Sequence, residues 1–374
     1  MVAAMIGARL KLARTAAGLS LRDLALKIGN IVTPQAIGKY ERNEARPGSR
    51  ALEAIAAALD VTPDYLTNAH QVSLVGVDFR KRLSASRREE AQVEAKVLNR
   101  LGEYLRIEQI LGMDSVRWDS PRGAPYPLFE IAQAEWTAEK LRESWGLGRD
   151  PIPNLIELLE ERGIKVICEP LAEAIDGMTA KVKRSAGPEL PVIVVNANHS
   201  GERQRFTLAH ELGHVVLSPR ITLTSRDVEK AAHRFAGAFL MPADTMWTEM
   251  GRSRTSISFG ELFALKALLG VSVQALTYRG RELGIIGETL FRRLFDEFER
   301  FGWRSPPYQE PQERPPETAK RMKRLCYRAV EEGLMSVGEA AQALGVEDAE
   351  LGEQMNEPWK REERSQLVAA STAA

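Results

Sequence analysis

The segment RQRFTLAHELGHVVLSP holds His210, Glu211 and His214, and no other feature restricts the fold as strongly. On a helix, residues four apart share a face, so both imidazoles can take one metal ion while Glu211, one position on, reaches a water beside it. With 5 histidines in 374 residues, roughly 0.006 chance occurrences of such a pattern are expected. A plain core helix with two satisfied histidines would also have to place Glu211 without a partner. The chain must therefore fold around a metal-binding helix, with a further ligand from a neighbouring element.

A catalytic zinc site normally has three protein ligands and one open position. Downstream, VEKAAHRFAGAFLMP reads as a second helix carrying Glu229 and, four residues on and on the same face, His233. On residue chemistry alone either is a candidate third ligand. The pair resembles the second helix of thermolysin-like metallopeptidases, and that resemblance implies Glu229 as the ligand. His233 then stands at the position that supports a ligand histidine, where those proteins usually have Asp or Asn. His199 and His70 lack metal-ligand spacing and are expected at the surface.

The surrounding sequence is α+β and mainly α. Residues 1 to 70 form short helical periods broken by turn signals. Residues 71 to 125 read as a connector, opening on QVSLVGVDFR, with strand or irregular character, before a charged helical stretch from about Ser84 to Leu111. From 126 to 302 two helical stretches precede the β-rich runs IKVICEP, DGMTAKVK and PVIVVNA, and further helices follow. Residues 303 to 318, with five prolines in WRSPPYQEPQERPPET, read as a linker or extended arm. Residues 319 to 374 form a small helical segment whose last stretch, polar and Ala-rich, is expected to fray.

In the N-terminal unit Ser20 and Asp23 begin a helix in the manner of a capping box, and Thr33 followed by Pro34 begins the next. With Leu24, Ala25, Ile28, Ile37, Leu52, Ile55, Ala56 and Leu59 for a core, residues 5 to 66 resemble the five-helix helix-turn-helix domain of the Xre and phage-repressor family. The resemblance implies a DNA operator as partner. The helix begun by Thr33 would enter the major groove with Gln35 and Lys39 toward base edges, and Arg42, Arg46 and Arg50 near phosphates. Pro34 and Leu21 stand where many members place glutamine, so base-specific contacts are expected to be few. The unit carries nine basic against six acidic residues, +3, a modest field for DNA; the alternative is a small protein-interaction domain.

From residue 128 to about 290, the order DGMTAKV, PVIVVN, RQRFTLAHELGH, FAGAFLMP and ALKALLGVSVQALTYRGRELGII is similar to the ImmA/IrrE family of metallopeptidases. What the resemblance implies is a zincin-like domain holding Zn2+, or Mn2+ in its place, with His210, His214 and Glu229 as ligands, Glu211 as catalytic base and His233 in support. Members cleave DNA-binding repressors, releasing genes for mobile elements or damage responses, and some carry an Xre domain on the same chain. The strand PVIVVN is expected to offer an edge to an extended substrate, and Arg203 and Arg205 are candidates for oxyanion stabilisation. Two functions remain open: an endopeptidase acting on a repressor or antitoxin, or a transcriptional regulator or antitoxin whose peptidase-like domain senses or binds a partner such as a toxin without turnover.

Composition removes other classes. Fifty-one basic and 51 acidic residues give no net charge, so any attraction to DNA is local. Two cysteines 158 residues apart, Cys168 and Cys326, make neither a disulfide framework nor a four-cysteine zinc site, and Cys326 reads as a core thiol. No apolar run is long enough for a membrane span. A cytoplasmic protein is expected, with a homodimer in keeping with repressor-type domains.

Overall fold

In the computed structural model, residues 6–61, 63–67, 72–81, 87–184, 187–219, 223–305 and 308–356 are described. His70 and the frayed C-terminal stretch expected from sequence lie outside them.

Five helices open the chain: α1 (Ile6–Ala16), α2 (Leu21–Lys27), α3 (Pro34–Glu41), α4 (Ser49–Leu59) and α5 (Pro63–Thr67). Ser20 and Asp23 make the reciprocal capping box at the start of α2, and the Thr33 hydroxyl accepts from the Ala36 amide at the start of α3. Leu10, Leu24, Ile37 and Ile55 are fully buried in their common core.

The stretch expected as a connector is structural. It forms β1 (Val72–Lys81) and the 24-residue α6 (Arg87–Ile110). There follow β2 (Tyr126–Leu128), α7 (Gln133–Ser144), α8 (Leu155–Glu161), β3 (Lys165–Glu169), β4 (Ile175–Arg184), β5 (Leu190–Asn196), α9 (Gly201–Val216), β6 (Leu217–Pro219) and α10 (Ser225–Leu240). The main sheet runs β1-β4-β5-β3, with β3 and β5 parallel and the other pairings antiparallel; β2 and β6 form a separate parallel pair. β5 is therefore central and every one of its residues is buried, so the expectation that PVIVVN offers an edge is overturned. That edge of the sheet belongs to β1. On one face α6 packs through Val93, Val97 and Leu101 against Met178, Val182 and Val192. On the other, α8, α9 and α10 share the largest core with α11 (Ala243–Met250), α12 (Phe259–Leu269), α13 (Val273–Glu282) and α14 (Glu288–Arg300).

The proline-rich stretch, rather than linking loosely, lies as a strap across this domain. Glu317 accepts from the amides of Leu155 and Ile156 at 2.7 and 3.1 Å, capping α8, and pairs with the buried guanidinium of Arg205. Glu310 pairs with the buried Lys266 at 3.1 Å and accepts from the Val273 amide at 2.9 Å. Two acidic residues in a polar tract thus help to neutralise two buried cations, one of which, Lys266, also has Glu202 beside it. The last helices, α15 (Arg321–Glu331), α16 (Val337–Leu344) and α17 (Asp348–Asn356), pack on α6 through Met322, Leu325 and Cys326 against Tyr104 and Ile107. Cys326 is a core thiol, as expected, and burial pushes both Cys326 and Cys168 up to about 12. Among the described residues no single helix is long and apolar enough to cross a membrane.

Candidate metal centre

The HExxH helix is built to be held still. α9 follows the central strand through a turn fixed by Asn196, whose side chain bonds the backbone of Leu171, Ala172, Ile175 and Asn198. At the first position of α9, Gly201 donates to the Arg314 carbonyl of the strap at 3.0 Å, and Glu202 pairs with Lys266 at 3.0 Å. The glycine inside the motif has a packing reason. A Cβ on Gly213 would stand 3.1 Å from the Phe235 ring and 3.5 Å from the Ala232 Cα, so its absence lets α10 approach α9 closely.

That approach brings Glu229 to the two motif histidines. The Nε2 atoms of His210 and His214 lie 3.0 Å apart, and the Glu229 oxygens stand 3.3 Å from His210 and 3.4 Å from His214. Ligands of a tetrahedral ion with bonds of about 2.0 to 2.1 Å are spaced about 3.3 Å apart. The two imidazole nitrogens and the Glu229 carboxylate, one oxygen toward each histidine, therefore suit the spacing and chemistry of a zinc-type site. His233 is also near: with His210 and Glu229 it forms a group whose donor atoms all lie within 4.8 Å of one another, and its ring meets that of His210 at a 4.6 Å centroid distance. Both candidate third ligands are thus at the cluster, and Glu229 has an oxygen within 3.4 Å of each motif histidine.

The electrostatics suit a cation. Hydrogen bonds to His210 and His214 hold the Glu229 carboxyl far below the ordinary carboxylate range, against a smaller effect of burial. Burial acts to lower His214, but its hydrogen bond to Glu229 and the charges of Glu211, Glu229 and Asp78 outweigh this and leave it raised.

Glu211, buried on α9, accepts a hydrogen bond from the Thr179 hydroxyl of β4. Sequence reasoning missed Thr179, because nothing in DGMTAKV ties it to a residue 32 positions on. The two arginines singled out before the motif as candidates for an oxyanion are both engaged by other partners. Arg205 is buried and donates to Gly270, Ile152 and Glu317, while Arg203 pairs with Asp176 at 2.5 Å. His199, expected at the surface, is buried with Nδ1 3.7 Å from Asp176. Two cavities of about 550 and 390 Å³ open beside the cluster, sharing Phe206, His233, Ala275 and Tyr278.

On the N-terminal unit, Thr33, Gln35 and Lys39 are all exposed along α3, with Gln35 and Lys39 one turn apart. Arg46 and Arg50 are exposed beyond it. Arg42, also exposed, is held by Glu44 through bonds of 2.6 and 2.9 Å, so a phosphate would have to compete with that carboxylate.

Two family models match the chain: a helix-turn-helix model over residues 10–66 and the IrrE N-terminal-like domain of the peptidase families over residues 159–280. The second spans β3 through β5 and α9 through most of α13, and it begins well after β1 and α6. No curated protein matches the chain.

Proposed function

We propose, from a helix-turn-helix unit joined to an IrrE-like peptidase domain, that this chain is a DNA-binding zinc endopeptidase that cleaves a repressor or antitoxin. The observation that carries the proposal is the triangle of His210, His214 and Glu229 with Glu211 beside it. In this reading those three hold the ion and His233 supports them. A bound Zn2+, or Mn2+ in its place, supplies Lewis acidity toward a water and the scissile carbonyl. Glu211, oriented by Thr179, accepts the proton of the attacking water and passes it to the leaving amine, so that one peptide bond and one water become a carboxylate and an amine. Gln35 and Lys39 read base edges while Arg42, Arg46 and Arg50 meet phosphates, which places the peptidase at an operator. The test is incubation of wild type and Glu211→Gln with repressors encoded beside the gene. Cleavage by wild type alone supports the reading, and its absence with zinc bound favours the second one.

That second reading is a transcriptional regulator or antitoxin whose peptidase-like domain binds a partner without turnover. The specific observation in its favour is β1, which lies along the strand next to Glu211.

A further inference from the structure

The matched peptidase domain contains β3, β4 and β5 but not β1. Without β1, β4 would be an edge strand, and it is the strand that contacts the catalytic helix at Thr179. An exposed edge of this kind presents a row of backbone donors and acceptors to which an extended peptide adds as a further strand. In this chain the row is already filled. β1 pairs antiparallel with β4 from Val72 opposite Arg184 to Lys81 opposite Ile175, with Asp78 opposite Thr179. Asp78 thus stands one strand from Glu211.

We propose that the β4 edge beside the metal centre is the docking strand for an extended stretch of protein substrate, and that β1 occupies it in cis, so that a substrate must displace β1 to reach Glu211. The proposal rests on the endopeptidase reading above. Three observations set β1 apart from the rest of the sheet. It lies outside the family domain. Its apolar Leu74 and Val77 are only partly buried against the core. Its pairing is interrupted between Val75 and Asp78, where Gly76 and Val77 oppose Ala180 alone and Gly76 has φ +62. This is a bulge, with glycine in the left-handed region that other residues resist. It breaks the ladder next to Thr179, where a substrate would have to run regularly, so β1 blocks the site instead of offering its own peptide for cleavage.

The test uses the full zinc-loaded chain and two probes: acetohydroxamate, too small to touch the edge, and an apolar tripeptide hydroxamate, which chelates the same ion and extends along β4. Amide hydrogen exchange is followed with each. The tripeptide probe should remove protection from residues 72–81 while β4 stays protected, and acetohydroxamate should leave β1 unchanged. Because successive residues of an antiparallel edge alternate in which N–H faces the partner, Leu74→Pro or Val75→Pro must lose a ladder bond. The better of the two should bind the tripeptide probe about tenfold more tightly, by raising the open fraction, with acetohydroxamate binding unchanged. Binding of the tripeptide probe with β1 still protected overturns the proposal, as does unaltered affinity in both proline variants. If neither probe binds, the metal-centre reading fails and this one falls with it. None of these readouts requires turnover, so an inactive but probe-binding chain would count against the endopeptidase alone.

Discussion

Thr179 and Glu211, from a strand and a helix that meet only in the folded sheet, are joined by a hydrogen bond in which the threonine hydroxyl donates to the carboxylate. The bond fixes the direction of the carboxylate proposed as general base without touching the proposed metal ligands. Thr179→Val should keep zinc, leave KM near wild type and lower kcat about tenfold, the scale of losing a partner that orients a site residue. Thr179→Ser, which retains the hydroxyl, should recover most of the rate. A fall in zinc content would assign Thr179 to the metal instead.

Ligand and base separate in their effect on metal content. His210→Ala, His214→Ala and Glu229→Ala should each lose zinc by elemental analysis, whereas Glu211→Gln should hold it and be inactive. His233→Ala should weaken metal binding about 10- to 100-fold through lost orientation. Should Glu229→Ala bind zinc like wild type while His233→Ala loses it, the third ligand is His233.

On DNA, Gln35→Ala or Lys39→Ala should cost about 1 to 3 kcal/mol on the specific operator and little on random duplex. Arg46→Ala should weaken both alike and flatten the salt dependence, since it releases counterions without reading bases. Arg42→Ala should do less than Arg46→Ala, because Glu44 already engages its guanidinium. Equal losses on specific and random DNA for Gln35→Ala and Lys39→Ala would remove both from base readout.

The Glu135–Arg279 pair supplies a pH-dependent part of stability. Burial opposes ionisation of Glu135, but its hydrogen bond and charge contact with Arg279, helped by Arg234, outweigh this and hold the carboxyl below its ordinary value. A carboxylate depressed in the folded state stabilises fully above its unfolded pKa, and that stabilisation is lost as pH falls through the folded value. Urea unfolding should show Glu135→Gln destabilised by about 3 kcal/mol near neutral pH, because the buried Arg279 loses its closer carboxylate and keeps only Glu282 at 3.5 Å. The gap should narrow as pH falls below the ordinary glutamate pKa of about 4.3; a gap independent of pH would show that the ion pair contributes nothing.

The strap is a load on the peptidase core. Glu317→Ala leaves the Arg205 guanidinium buried without its carboxylate and removes the acceptor of the first two α8 amides, and chemical denaturation should register a loss of about 3 to 5 kcal/mol. A loss under about 1 kcal/mol, the scale of an exposed pair, would mean that the tract is only loosely laid down.

What the sequence showed and what it hid divide by distance along the chain. The five N-terminal helices, the HExxH helix and the helix of Glu229 and His233 were legible because caps and periods are local. The role of β1 was not, since its partner in β4 lies about a hundred residues on and no local pattern names it. Nor could Glu310 and Glu317 be read from a proline-rich tract, because their meaning comes from Lys266 and Arg205. The misreading of PVIVVN had a visible remedy: an unbroken apolar run marks a strand buried on both faces, hence a central one.

α6 is common ground for three parts of the molecule: α1 rests on it, the sheet packs against its middle, and the C-terminal helices cover its far end. Its 24 residues span about 36 Å without a break. Helix α3 and the cluster of His210, His214 and Glu229 therefore keep a set bearing to each other, as if mounted on one axle. A chain seated on an operator would point its cleft to one side of the double helix only. A target protein bound nearby should then come within reach at some spacings and not at others, with reach returning at intervals of one helical turn, about 10 base pairs.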